Sequence, residues 1–96
     1  MTIIFSNMLD SDCQVLRCTW QNISDVNVVE ITPDMNIDEV ETSVNNAIIA
    51  EDDTIIFLGH GTEYGLLFPD FYKGLYILHD ENVNLIHAKN IICCWC

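Results

Sequence analysis

Basic side chains are nearly missing: Arg17, Lys73 and Lys89 stand against 15 Asp and Glu in 96 residues, for a formal net charge of −12. Nucleic-acid binding needs lysines and arginines that neutralise phosphates, and three cations cannot form a basic stripe. Attraction to an anionic membrane surface is excluded on the same ground. Long apolar runs are missing too: the longest are 55–58 and 91–96, whereas a membrane-spanning helix takes about 20 residues. Met1-Thr2-Ile3-Ile4-Phe5 has no basic stretch and Asp10 and Asp12 follow soon after, so no secretory signal is read. Five cysteines are an odd number, which argues against a complete disulfide framework and for a reducing, cytoplasmic setting. Phosphate-loop and serine-elbow motifs are absent. Gly59-x-Gly61-x-x-x-Gly65 sets its third glycine one residue late for a dinucleotide fingerprint, and Leu66-Leu67-Phe68-Pro69 does not open a helix.

What is present is apolar. Half the residues are hydrophobic and the mean hydropathy is +0.23, which excludes disorder as the main state. A chain of this size is one domain, residues 1–96, and buries only about two-thirds of its unfolded surface. So much apolar content predicts a domain incomplete at its C-terminus, with a remainder that covers it. The acidic balance attracts basic peptides or proteins; the plainer alternative is that the acids only keep an apolar protein in solution.

Thr2–Phe5 reads as a buried strand and Val26–Ile31 as a second, closed by Pro33. Residues 10–22 are ambiguous: Leu9, Cys13, Leu16 and Trp20 recur at near-helical spacing, but Cys18, Thr19 and Trp20 are poor helix formers. The clearest helix follows Asn36, a capping residue with Glu39 at the third helical position, and carries an apolar stripe of Ile37, Val40, Val44 and Ile48. Thr54–Leu58 is a third strand running into Gly59-His60-Gly61. Residues 64–69 and 74–78 read as a hairpin, 82–88 as a short helix and 89–95 as a last apolar strand. Alternating strands and helices with continuously apolar strands predict a parallel sheet covered on both faces, with its sites beyond the carboxyl ends of the strands.

That edge holds the sharpest constellation. His60 and Cys96 each follow an apolar strand, and a thiol nucleophile needs an imidazole converging on it in space. Gly61 beside His60 leaves a backbone N–H able to serve an oxyanion hole. The plainer readings are a turn histidine and a core cysteine.

The run Ile55-Ile56-Phe57-Leu58-Gly59-His60-Gly61, then a hairpin, then Asn90-Ile91-Ile92-Cys93-Cys94-Trp95-Cys96, resembles the caspase-like cysteine peptidases of clan CD, such as caspases, metacaspases, gingipains and CHAT-domain proteins. The resemblance implies a three-layer α/β/α fold of flavodoxin-like type, with a mostly parallel sheet and a β-hairpin after the His-Gly strand. It implies His60 as catalytic histidine, Cys96 as nucleophile, and the N–H groups of Gly61 and Cys96 as oxyanion donors. Asp10 and Asp12 fall where relatives often place residues that hold the substrate side chain, and carboxylates there would favour Arg or Lys; the plainer reading is a solvated acidic loop. Trp95 stands where that family usually has a small residue, and the chain ends on Cys96. The expected activity is therefore a peptidase acting on peptides or proteins, without a cofactor. The alternative is an inactive caspase-like interaction or regulatory module.

Other chemistry fits the spacing less well. Cys93-x-x-Cys96 and Cys13-x4-Cys18 offer four thiolates for zinc, but neighbouring strand residues face opposite ways, so no metal is expected. A redox reading of Cys93-x-x-Cys96 lacks the helix N-terminus on which such pairs sit. His79 and His87 read as structural or exposed.

Overall fold

The computed structural model describes residues 1–70 and 73–95. Its strands and helices are β1 (Thr2–Ser6), α1 (Ser11–Leu16), β2 (Asn27–Ile31), α2 (Ile37–Ala50), β3 (Thr54–Leu58), β4 (Gly61–Thr62), β5 (Gly65–Leu67), β6 (Tyr76–Leu78) and β7 (Asn90–Cys94). Single 3₁₀ turns lie at Arg17–Thr19 and Val83–Leu85. The chain is an α/β fold built on a four-stranded parallel sheet of order β2-β1-β3-β7. A smaller antiparallel sheet of order β4-β5-β6 follows β3.

The alternation of side chains along a strand divides the core between two faces. Ile4, Ile31, Ile55 and Phe57 lie on one face and pack against Val40, Val44 and Ile48 of α2, Leu66, Ile77 and Leu78 of the smaller sheet, and Phe68 just after β5. Ile3, Phe5 and Leu58 lie on the other with Cys13, and Leu16 and Trp20 pack onto them. Trp20 meets Phe5 edge to face at 5.1 Å, a favoured aromatic geometry. Helices thus cover both faces of the sheet around β1 and β3.

α2 starts where its sequence says it should. Asn36 Oδ1 accepts hydrogen bonds from the N–H groups of Asp38 and Glu39, satisfying two donors with no partner inside the helix. Val40, Val44 and Ile48 are its buried residues. α1 is short because its sequence turns against it: after Leu16 the chain tightens into the 3₁₀ turn at Arg17–Thr19. The helix expected over 82–88 is reduced to the turn Val83–Leu85. Asn82 is the reason: its Nδ2 donates to the Ile77 carbonyl at 2.8 Å and to Asn45 Oδ1, while its Oδ1 accepts from the His79 N–H. With that side chain drawn inward, the segment is tied to β6 and α2.

The expectation of a sheet covered on both faces is met by β1 and fails at β7. All five residues of β1 are buried, whereas all five of β7 are exposed, with Ile91 at 49% and Ile92 at 47%. Among the described residues, β7 has β3 on one side and no strand on the other. No helix among them is long and apolar enough to cross a membrane.

Candidate functional site

Three connections converge at the carboxyl edge of the parallel sheet: β1 to α1, β3 to β4, and the end of β7. β3 leaves the sheet through Gly59, whose φ of +145° and packing both require glycine, because an added Cβ would lie 2.7 Å from the Ser6 carbonyl oxygen. The chain can therefore pass close over β1 before presenting His60. The Gly59 N–H donates to the Cys94 carbonyl at 3.4 Å, one residue beyond the pairing of Leu58 with Cys94. β3 and β7 so remain side by side to their ends.

His60 is held from the β1–α1 connection. Its Nε2 lies 2.8 Å from Asp10 Oδ2, and both side chains are about one-third exposed, at 32% and 35%. Asp10 is also the N-cap of α1: its Oδ1 accepts from the Cys13 N–H at 3.0 Å. The connection is bent to deliver it. Leu9 has a φ of +68°, which side chains other than glycine seldom adopt, and its N–H donates to Asn7 Oδ1 at 2.8 Å. Asn7 is fully buried, and its Nδ2 has no hydrogen-bond partner among the described residues.

Cys13 completes the cluster from beneath. It is fully buried, and its Sγ lies 3.8 Å from the Ser6 carbonyl oxygen. Ligand atoms of Asp10, Cys13 and His60 all fall within 4.8 Å of one another. Burial first, then hydrogen bonding to the Asp10 carboxylate, pushes the Cys13 thiol up to about 11. The same pair acts oppositely on the acid: hydrogen bonds from the Cys13 thiol and N–H, with a smaller contribution from His60, hold Asp10 down to about 2. Cys13 is thus a protonated thiol at neutral pH and unsuited to attack, whereas Asp10 is ionised.

Of the two acids singled out by sequence, Asp10 has both oxygens engaged within the protein, and Asp12 lines a cavity. This cavity of about 250 Å³ is bounded by Asp12, Leu16, Gly59, His60, Cys94 and Trp95. Gly61 opens β4 opposite Leu66, and the flanking hydrogen bond runs from the Leu67 N–H to the His60 carbonyl at 3.0 Å. By the alternation of an antiparallel ladder, the Gly61 N–H points away from β5. Trp95 turns toward the hairpin: its Nε1 donates to the Thr62 carbonyl at 3.0 Å and its ring meets Phe57 edge-on at 6.4 Å. Gly61 makes that seat possible, since a Cβ there would collide with the indole.

Cys96, the expected nucleophile and second oxyanion donor, lies outside the described residues. The four-thiolate zinc set is not gathered among the described residues: Cys13 is buried, whereas Cys18, Cys93 and Cys94 are exposed. His79 Nδ1 accepts from the Glu81 N–H within its own turn, and His87 Nε2 donates to the Ile49 carbonyl at 2.6 Å, tying its segment to the end of α2. Sequence reasoning missed the union of Cys13 with His60. The available signal was the spacing Asp10-x-x-Cys13, which sets a cap and a third helical residue on one side of a helix start. Comparison with protein-family models, curated proteins and solved structures gives no match.

Proposed function

We propose that the protein is a caspase-like cysteine peptidase unit in which His60 and Cys96 form the catalytic pair. The observation that carries this reading is register. β3 and β7 are parallel neighbours with Leu58 beside Cys94, and His60 and Cys96 each follow those residues by two positions. Parallel α/β sheets gather their sites beyond such strand ends. The Asp10 carboxylate on Nε2 supports the reading by fixing the imidazole plane and assigning proton movement to Nδ1. The outward Gly61 N–H supports it as an oxyanion donor, and the turned-away Trp95 leaves the His60 cavity open beside its ring.

The chemistry follows from these groups. The Cys96 sulfur bonds to the scissile carbonyl carbon, its proton passing to His60, while the Gly61 and Cys96 N–H groups hold the charge on the carbonyl oxygen. The C–N bond then breaks as His60 returns the proton to the leaving amine. Water, deprotonated by His60, adds to the thioester and releases the acid and the free thiol. Asp12 in the cavity wall favours a substrate Arg or Lys, in keeping with the net charge of −12.

The test is labelling with a thiol-directed peptidyl probe carrying Arg, followed by mapping of the modified cysteine. The expected result is one adduct on Cys96, abolished in Cys96→Ala and reduced at least tenfold in His60→Ala. An adduct spread over the exposed Cys18, Cys93 and Cys94 and indifferent to His60→Ala overturns the catalytic pair and leaves an interaction module.

A further inference from the structure

We propose that Asp10, Cys13 and His60 form a binding site for one borderline-soft divalent cation of the zinc class. The inference rests on the geometry of three side chains and does not depend on peptidase activity. A carboxylate oxygen, a thiol sulfur and an imidazole nitrogen from two separate connections lie within 4.8 Å of one another. Mixed oxygen, sulfur and nitrogen ligands are those that zinc accepts, whereas calcium and magnesium require oxygen ligands almost throughout.

The ligands are held in place before any ion arrives. Asp10 Oδ1 stays on the Cys13 N–H as the helix cap, which leaves Oδ2, now 2.8 Å from His60 Nε2, to turn toward a cation. Cys13 is fixed by complete burial against Ile3, Phe5 and Leu58. Zinc bonds of about 2.0–2.3 Å place neighbouring ligand atoms roughly 3.3–3.8 Å apart, so the widest pair must close by about 1 Å while Asp10 Oδ2 and His60 Nε2, now 2.8 Å apart, separate slightly. The adjustment falls to His60 and Asp10, whose side chains are 32% and 35% exposed. Binding exchanges the Cys13 S–H bond for a sulfur–metal bond, and one proton leaves to solvent for each ion taken up. His60 also lines the 250 Å³ cavity, so its side of the proposed site is open to solvent. Three protein ligands with one open position distinguish this site from closed four-thiolate zinc sites.

The test uses the 96-residue chain with Cys18, Cys93, Cys94 and Cys96 replaced by Ser, so that Cys13 is the sole thiol. Cobalt(II) is titrated while the thiolate-to-cobalt charge-transfer band and the visible bands of tetrahedral cobalt are followed. Saturation at one equivalent, release of one proton and bleaching by zinc are expected. His60→Gln changes a partly exposed side chain, and Asp10→Asn keeps a residue that caps helices equally well, so both variants retain the fold. Each is expected to weaken cobalt binding about tenfold or more. No charge-transfer band at millimolar cobalt in the folded protein overturns the site, as does a band of unchanged affinity in both variants. Because no peptide probe is involved, a negative result here leaves the Cys96 labelling test untouched, and the reverse also holds.

Discussion

β1 and β7 are five-residue parallel strands of similar apolar character, both hydrogen-bonded to β3, yet every residue of one is buried whereas the isoleucines of the other are about half exposed. The difference lies in their neighbours. β1 has strands on both sides, α2 and the smaller sheet on one face, and α1 on the other. Among the described residues β7 touches β3 alone in the sheet, and it is anchored at its end by the Trp95 hydrogen bond to Thr62. Apolar sequence therefore encodes the strand and its register, while burial depends on what the rest of the fold lays over it.

The largest expected effect tests that contrast directly. Phe57→Ala empties a fully buried position in β3 and should cost about 3–5 kcal/mol in chemical denaturation, while Ile92→Ala on half-exposed β7 should cost less than about 1 kcal/mol. Equal losses would mean that β7 is buried in solution. Gly61→Ala should come next, at about 1–3 kcal/mol, because its methyl group meets the Trp95 ring. A red-shifted Trp95 emission would report release of the indole, provided that Trp20 is first replaced by Phe; unchanged emission and stability would break the link between β7 and the hairpin.

The cysteines sharpen the same comparison in kinetic terms. Cys94 on β7 should react with a disulfide reagent at nearly the rate of a free thiol, and Cys93, whose thiol is raised above its ordinary value by partial burial and by Cys94, more slowly than that. Cys13 should wait for opening of the fold and react at least a hundredfold more slowly. The smallest effect concerns the start of β1. Glu51 accepts hydrogen bonds from Thr2 Oγ1 at 2.8 Å and from the Asp53 N–H, which lower its pKa from 4.5 to about 2. A carboxyl group depressed on folding contributes stability above its unfolded value and loses it as the pH falls through its folded one. The stability difference between the native chain and Glu51→Gln should therefore be constant above about pH 5 and shrink toward pH 2, as measured by acid titration of denaturation midpoints.

Most of the framework was legible in the residues. β1, β3 and α2 follow from continuous apolar runs and from the cap and stripe of residues 36–48, because local pattern and tertiary burial agree there. α1 was ambiguous since Cys18, Thr19 and Trp20 resist helix formation, and the helix does end before them. The exposure of Ile91 and Ile92 was illegible, because a side chain does not record whether anything covers it. At the site, His60 was placed at the sheet edge by its strand alone. Its hydrogen bond to Asp10 and the approach of Cys13 depend on how the β1–α1 connection bends, down to the left-handed backbone of Leu9. No spacing rule carries that turn.

The position of β1 also governs the order of events in folding. Residues 2–6 occupy a central place in the sheet, yet on one side residues 2–5 pair with residues 55–58, some fifty residues later in the chain. β1 is synthesised before β3 and must remain without one of its two neighbours until Leu58 has emerged, with Ile3, Ile4 and Phe5 open to other contacts. Closing so long a loop before gaining its reward slows parallel sheets relative to hairpins. The hairpin formed by β4 and β5 closes over only a few residues, so its loop-closure cost is far smaller than that of joining β1 to β3.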